Sequence, residues 1–163
     1  MNIYFDPNLI LNTSLGFLFA LLLKFLLDLK LAIYAVKYLH FLPVRNLFRS
    51  NPPELKGSWH QTWNIKESST FNSESSRQSM SKMRQLGHYC YSEFRSGGSV
   101  YVLFGKVERE QFVGEWYDLK DTLGYSGSFH LIIKNGKKLE GKWIGNSKTK
   151  NEVKSGDWVW VKE

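Results

Sequence analysis

The apolar run from Leu9 to Val44, LILNTSLGFLFALLLKFLLDLKLAIYAVKYLHFLPV, constrains this chain more than any other stretch. It has no proline before Pro43 and a single glycine, Gly16, so nothing ahead of Pro43 forces a helix to break. A helix of that length reaches roughly 50 Å, against a bilayer hydrocarbon core of about 30 Å. One crossing of a membrane is within reach, with length to spare.

The charges inside the run sort the ways it can sit. No ionisable side chain occurs from Leu9 to Leu23, whereas Lys24, Asp28, Lys30 and Lys37 interrupt the remainder. Lys24 and Asp28 are four apart and meet on one helical face, where a pair costs far less in lipid than either charge alone. Charged flanks at a membrane surface are the plainer reading of both.

The leading expectation is one transmembrane helix from about Leu9 to Leu29, with Leu9, Phe17 and Leu22 in the membrane. A basic amphipathic segment carrying Lys37 follows on the interface. Two short spans folded as a hairpin near Lys24 to Lys30 are the alternative, each half being shorter than the roughly 17 residues a span needs. A buried helix or a signal peptide completes the set. Against the signal peptide, no basic stretch precedes the apolar core, no small-residue cleavage site follows it, and Asp6 lies ahead of it.

Lys30, Lys37, Arg45 and Arg49 gather on the C-terminal side of the run, while its N-terminal flank has no Lys or Arg. The positive-inside rule therefore predicts a cytoplasmic C-terminal domain. A single thiol, Cys90, agrees, since one cysteine forms no internal disulfide framework. The segment Arg49-Ser50-Asn51-Pro52-Pro53-Glu54 ends any helix. The expected organisation is a transmembrane or amphipathic segment over 1–45, a linker over 46–56 and a domain over 57–163. A net charge of +7 suits a membrane surface or a phosphate-bearing partner, with a solvated basic surface as the plainer reading.

Past the linker the period changes to two. Gly57 to Lys66 puts Trp59, Trp63 and Ile65 on one face and Ser58, His60, Thr62 and Asn64 on the other. Glu67 to Gln78, rich in Ser, Thr and Asn, reads as a long loop. Strand-sized segments follow over 80–86, 87–95, 99–107, 111–119, 125–134, 138–144 and 154–162. Gly97-Gly98 and Asn135-Gly136 mark turns between them.

A short repeat runs through these strands. Gly57, Gly114, Gly127, Gly141 and Gly156 each stand two residues before an aromatic: Trp59, Trp116, Phe129, Trp143 and Trp158. Glycine weakens a strand unless a bend or a close approach needs the missing side chain. Repeated around a sheet, such positions let it curl and close with the aromatics filling the interior. The expected fold is an N-terminal transmembrane α-helical segment plus an all-β domain, an antiparallel up-and-down β-barrel of about eight strands, lipocalin-like. A β-sandwich is the alternative on the same strand count.

No enzyme is expected. His40, His60, His88 and His130 have no metal-ligand spacing, there is no Cys pair, and no phosphate-cradling Gly loop occurs. Binding fits better. Aromatics interleaved with basic groups can stack a nucleobase and pair with phosphate, the candidates being Trp59, Trp63, Arg84, His88, Tyr89, Tyr91, Trp116, Lys142 and Trp143. Taken singly, each tryptophan is more simply a core filler and each lysine more simply a solvated one.

An N-terminal membrane segment followed by a small barrel ending in GSFHLIIKNGKKLEGKWIGNSKTKNEVKSGDWVWVKE resembles the membrane-anchored β-barrel effectors of bacterial antiphage systems that signal through cyclic oligonucleotides. The resemblance covers nearly the whole chain in layout and is sharpest from Gly127 to Lys162, with Gly127, Gly141, Trp143, Gly145, Gly156 and Trp158 as anchors. Members commonly carry two membrane helices, and this run is short for two. Small membrane effectors of type III CRISPR systems that respond to cyclic adenylates share the layout. The resemblance implies a cyclic oligonucleotide as regulatory ligand, a lipid bilayer and further copies of the chain as partners, and no DNA or RNA polymer. It also implies a bacterial inner-membrane location and membrane disruption as the output. A membrane-tethered barrel binding an apolar ligand and a bare assembly module are the competing expectations.

Overall fold

A computed structural model describes residues 7–28, 31–44, 52–64, 77–121, 124–147 and 152–163. Two helices come first, α1 (Pro7–Asp28) and α2 (Leu31–Leu39). Eight strands follow: β1 (Gly57–Trp63), β2 (Gln78–Leu86), β3 (Tyr89–Ser96), β4 (Ser99–Glu108), β5 (Gln111–Asp118), β6 (Ser126–Lys134), β7 (Lys138–Ser147) and β8 (Glu152–Lys162). Each pairs antiparallel with its neighbour in sequence, and β8 closes on β1, so the expected up-and-down barrel is the observed fold.

Glycine placement explains the closure. A Cβ on Gly141 would overlap the His130 carbonyl, one on Gly127 that of Ile144, and one on Gly114 that of Phe104. Neighbouring strands therefore approach more closely at these points than any side chain allows, and the sheet coils there. The aromatics two residues later turn inward. All six tryptophans belong to or pack against the interior cluster, together with Met83, Phe94, Leu103, Phe112, Phe129, Leu131 and Leu139.

The two ends of the barrel differ. Tight turns at Gly87–His88, Arg109–Glu110 and 135–137 share one end, where Gly87, Arg109, Asn135 and Gly136 all take positive φ. Residues 52–56, expected as linker, close that end instead. Leu55 is fully buried and Trp59 Nε1 donates to its carbonyl at 2.7 Å. Gln85 secures the plug, accepting from Leu55 N at 2.7 Å and donating to the Pro53 and Gly87 carbonyls at 2.9 and 3.0 Å. The opposite end carries the Gly97–Gly98 turn and the three longer connections. Most of the expected Ser-rich loop, with Ile65, lies outside the described residues.

α1 is described to Asp28, close to the expected end of the first helix, and α2 from Leu31. Among the described residues no helix is long and apolar enough to cross a membrane. The side chains described in α1, from Asn12 to Lys24, cover only about 20 Å of it. α2, expected on a membrane interface, lies against the outer wall of the barrel, where Ile33 and Val36 pack with Tyr91 and Val102.

Candidate ligand site at the aromatic end of the barrel

The inward parity of five strands brings an aromatic ring toward the end opposite the plug. Trp63 ends β1, Phe94 stands two residues before the end of β3, Tyr101 two after the start of β4, and Trp116 two before the end of β5. Centroid separations run 5.9 Å for Trp63–Phe94, 5.4 Å for Phe94–Tyr101, 5.8 Å for Tyr101–Trp116 and 6.1 Å for Trp116–Trp143. Gly156 completes the circuit, because a Cβ there would meet both Trp143 Nε1 and the carbonyl of Asn64, the residue after Trp63. The result is an aromatic collar around the mouth, with Trp63, Trp116 and Trp143 only partly buried. Rings in this offset and edge-on arrangement pack on one another, and the partly exposed tryptophans are where a further flat ring would stack.

Beneath the collar the interior is polar at a few points. Gln61, Ser81 and Ser92 are buried, and Gln61 Oε1 accepts from Trp158 Nε1 at 3.1 Å. Asp118 closes the rim, its carboxylate accepting from the Lys120 and Asp121 amides at 2.9 and 3.1 Å, and those bonds hold it below its ordinary titration range. Burial pushes the Tyr101 phenol up. Outside the rim, Arg95 and Lys120 border a groove of about 540 Å³ with Ser79 and Gly97.

The residues singled out from sequence divide into three places. Trp63, Trp116 and Trp143 form the collar. Trp59 lies deep at the closed end, its N–H committed to the plug. Arg84, His88, Tyr89, Tyr91 and Lys142 all fall on the outside. There Lys142 pairs with Asp157 at 3.1 Å, Tyr89 stacks on Phe104 at 5.8 Å, and a His88 ring nitrogen bonds the Val107 carbonyl at 2.9 Å.

Arg84 and Tyr91 lie by α2, and Lys37, expected at a membrane surface, joins them there by bonding Glu93. Phe17, Leu22 and Lys24 are exposed on α1, while the side chains of Leu9 and Asp28 lie outside the described residues. Gln61, Ser81, Phe94, Tyr101 and Trp160 were not foreseen as site residues. Gln61 has the same strand parity as Trp59 and Trp63, a signal that was present in the sequence.

No family model matches the chain, and no curated protein matches it. A solved structure, that of EF1p2_mFAP2b bound to DFHBI, is similar in fold with a TM-score of 0.51 at 8% identity, covering 67% of this chain and 94% of that one. The likeness is one of fold.

Proposed function

We propose that this chain is a membrane-attached effector whose barrel senses a cyclic nucleotide and whose α1 carries the response into the bacterial inner membrane, with the barrel on the cytoplasmic side. The observation that carries the reading is α1 itself. Leu15, Phe17, Leu18, Phe19, Leu21, Leu22 and Leu23 are 47–67% exposed, and they leave no single polar face. A helix apolar on all sides needs an apolar surrounding. Transfer of such side chains from water is worth on the order of 1.5–3 kcal/mol each, so lipid is strongly favoured over water. The whole of α1, 22 residues, reaches about 33 Å, of which the described side chains cover about 20 Å.

The collar supports the sensing half of the proposal. Flat rings stack on tryptophan regardless of base identity, and eight-stranded barrels either fill with side chains or hold one small ligand. The similar barrel EF1p2_mFAP2b holds DFHBI, in keeping with a ligand in a barrel of this kind. Ligand binding then favours an oligomeric state in which α1 helices of several copies disrupt the bilayer, and no catalytic step is required. The ligand moves that equilibrium only by its difference in affinity between the two states.

The test is dye release from liposomes carrying the full-length protein, titrated with cyclic di- and trinucleotides and cyclic tetra-adenylate. One of these should change the leak rate, and Leu22→Arg should abolish leakage while leaving nucleotide binding intact. Leakage that ignores every nucleotide, or that survives in Leu22→Arg, counts against the proposal. The six inward tryptophans favour a second reading, a tethered carrier of an apolar ligand, which predicts lipid co-purifying with the protein.

A further inference from the structure

α2 is apolar on nearly every side, and the barrel accounts for only one of them. Its sequence, LAIYAVKYL, holds a single charge, Lys37, and that ammonium is turned to the wall, where it donates to Glu93 at 2.9 Å. At about 3.6 residues per turn, Ile33 and Val36 define the buried face, and Leu31, Tyr34 and Tyr38 fall on the opposite one. These three are 46–62% exposed, and no described residue covers them. A helix face without a charge, turned away from the core, is not one that water selects. α2 therefore needs a second apolar surround besides the barrel.

The chain itself limits what that surround can be. α1 ends at Asp28 and α2 begins at Leu31, so the start of α2 lies within about 11 Å of the end of α1. A headgroup layer is roughly 5–7 Å deep on each side of the hydrocarbon. With α1 in lipid, the first turn of α2 is at the headgroups or beside them. Tyrosine suits that depth, because its ring is apolar and its hydroxyl reaches water. Tyr34 and Tyr38, four apart, reach the same level. The strands beneath α2 add charge of the fitting sign. Lys82 and Arg84 on β2 and Lys106 on β4 alternate with inward residues and so face outward on this wall. The two acids on β2, β3 and β4, Glu93 and Glu108, are already paired with Lys37 and Lys106. Basic side chains of this kind are drawn to anionic headgroups.

We propose that α2 is an interfacial helix held between the barrel and an anionic lipid surface. Ile33 and Val36 hold the barrel, Leu31, Tyr34 and Tyr38 rest among the headgroups, and the barrel lies with its β2–β3 wall toward the membrane. This rests on the reading of α1 as a membrane helix and adds the orientation of the barrel upon it. In a closed barrel of eight strands β6 and β7 stand opposite β2 and β3, so Ile132 and Ile144 face away from the lipid. Neither end of the barrel is then turned into the bilayer.

The test places a nitroxide spin label on one cysteine at a time in the full-length protein, in vesicles of phosphatidylethanolamine and phosphatidylglycerol. The variants are Tyr34→Cys and Tyr38→Cys on α2, Ile132→Cys on β6 and Leu18→Cys on α1. Cys90 is fully buried and its thiol is pushed up by burial, so it stays unlabelled. Oxygen, which concentrates in lipid, and a nickel chelate, which stays in water, serve as relaxing agents. The expected result is a loss of nickel collisions at both α2 labels with oxygen access retained, against open nickel access at the β6 label. Nickel access on α2 equal to that on β6, with the α1 label in lipid, overturns the interfacial helix and leaves the α1 anchor standing. An α2 label shut off from both reagents has protein over it, a second copy where dipolar broadening appears and the same chain where it does not. Either overturns the lipid assignment. Nickel access at the α1 label as well removes the membrane reading along with the proposal.

Discussion

Lys37 on α2 donates to Glu93 on β3 at 2.9 Å, across 56 residues of sequence. Tyr91 OH donates to the same carboxylate oxygen, and the Lys37 ammonium and the Arg84 guanidinium stand 5.3 and 5.8 Å from the Tyr91 ring centre. Ile33 and Val36 complete the contact by packing on Tyr91 and Val102. The barrel wall and the helical segment are thereby tied together at β2 and β3. Phe94, next to Glu93 on β3, is a collar ring pointing the other way, so one strand has a residue in the mouth beside a residue on the helix.

The clasp predicts a pH window for α2 docking. The Tyr91 and Lys37 bonds hold the Glu93 carboxyl below its ordinary 4.5, and the Glu93 bond holds the Lys37 ammonium above its ordinary 10.5. A carboxyl depressed in the folded state adds stability above 4.5 and loses it as pH falls; an ammonium raised in the folded state adds stability below 10.5 and loses it as pH rises past that. Protection of the α2 amides, with the pH dependence of intrinsic exchange removed, should be greatest between these limits. Glu93→Gln should weaken docking by about 1 kcal/mol, solvent screening included, and flatten the acid limb. An unchanged acid limb in that variant would show that Glu93 does not hold the helix.

Gln85 predicts the strength of the plug. Its side chain serves one backbone N–H and two carbonyls. Gln85→Leu keeps the volume and orphans all three, so unfolding free energy should drop by about 3 kcal/mol. Exchange at the Leu55 amide should rise with it. A loss below about 1 kcal/mol would mean that Trp59 and Leu55 packing alone seals the end.

Much of this barrel was legible because its signals are local. Period-two alternation and the Gly-x-aromatic repeat located all eight strands, and Gly97-Gly98 and Asn135-Gly136 announced their turns. The Arg109 turn was not announced, since an arginine at φ 56° has no composition cue. The two faces of β3 do not separate by burial, because Tyr91 on the outer wall is as buried as Cys90 inside once α2 covers it. The clasp and the plug were invisible for a common reason. Lys37 with Glu93, and Leu55 with Gln85, are long-range pairs that only the closed barrel brings together. The candidate site was half legible: the tryptophans were found, but basic and aromatic residues on the outer wall were grouped with them.

The pairing of β2 with β3 predicts where the barrel opens first. Their register covers Arg84–Leu86 with Tyr89–Tyr91. Nearer the mouth, Ser92 Oγ donates to the Lys82 carbonyl at 3.2 Å and the Arg95 amide donates to Ser79 Oγ at 3.1 Å, so hydroxyls stand in for ladder bonds. Amides of 92–95 should exchange faster than those of 103–107 on the fully paired β4. Ser79→Ala should speed the Arg95 amide further, by roughly fivefold for a bond worth about 1 kcal/mol. Equal protection along β3 and β4 would rule out a weak seam.

Two glycines make opposite predictions for the same substitution. A Cβ on Gly141 would overlap the His130 carbonyl and lie 2.8 Å from Leu131 Cα, and backbone on a paired strand has little freedom to retreat. Gly141→Ala should therefore destabilise the barrel by about 3 kcal/mol, read by chemical denaturation through tryptophan fluorescence. A Cβ on Gly16 meets nothing within 4 Å, and the residue is in the middle of α1. There alanine removes glycine's entropic penalty and should favour the helix by about 1 kcal/mol while leaving barrel unfolding unchanged. If Gly141→Ala were tolerated, the close strand approach could not be what curls the sheet. If Gly16→Ala shifted barrel unfolding, α1 would be coupled to the barrel more tightly than the contacts of α2 alone provide.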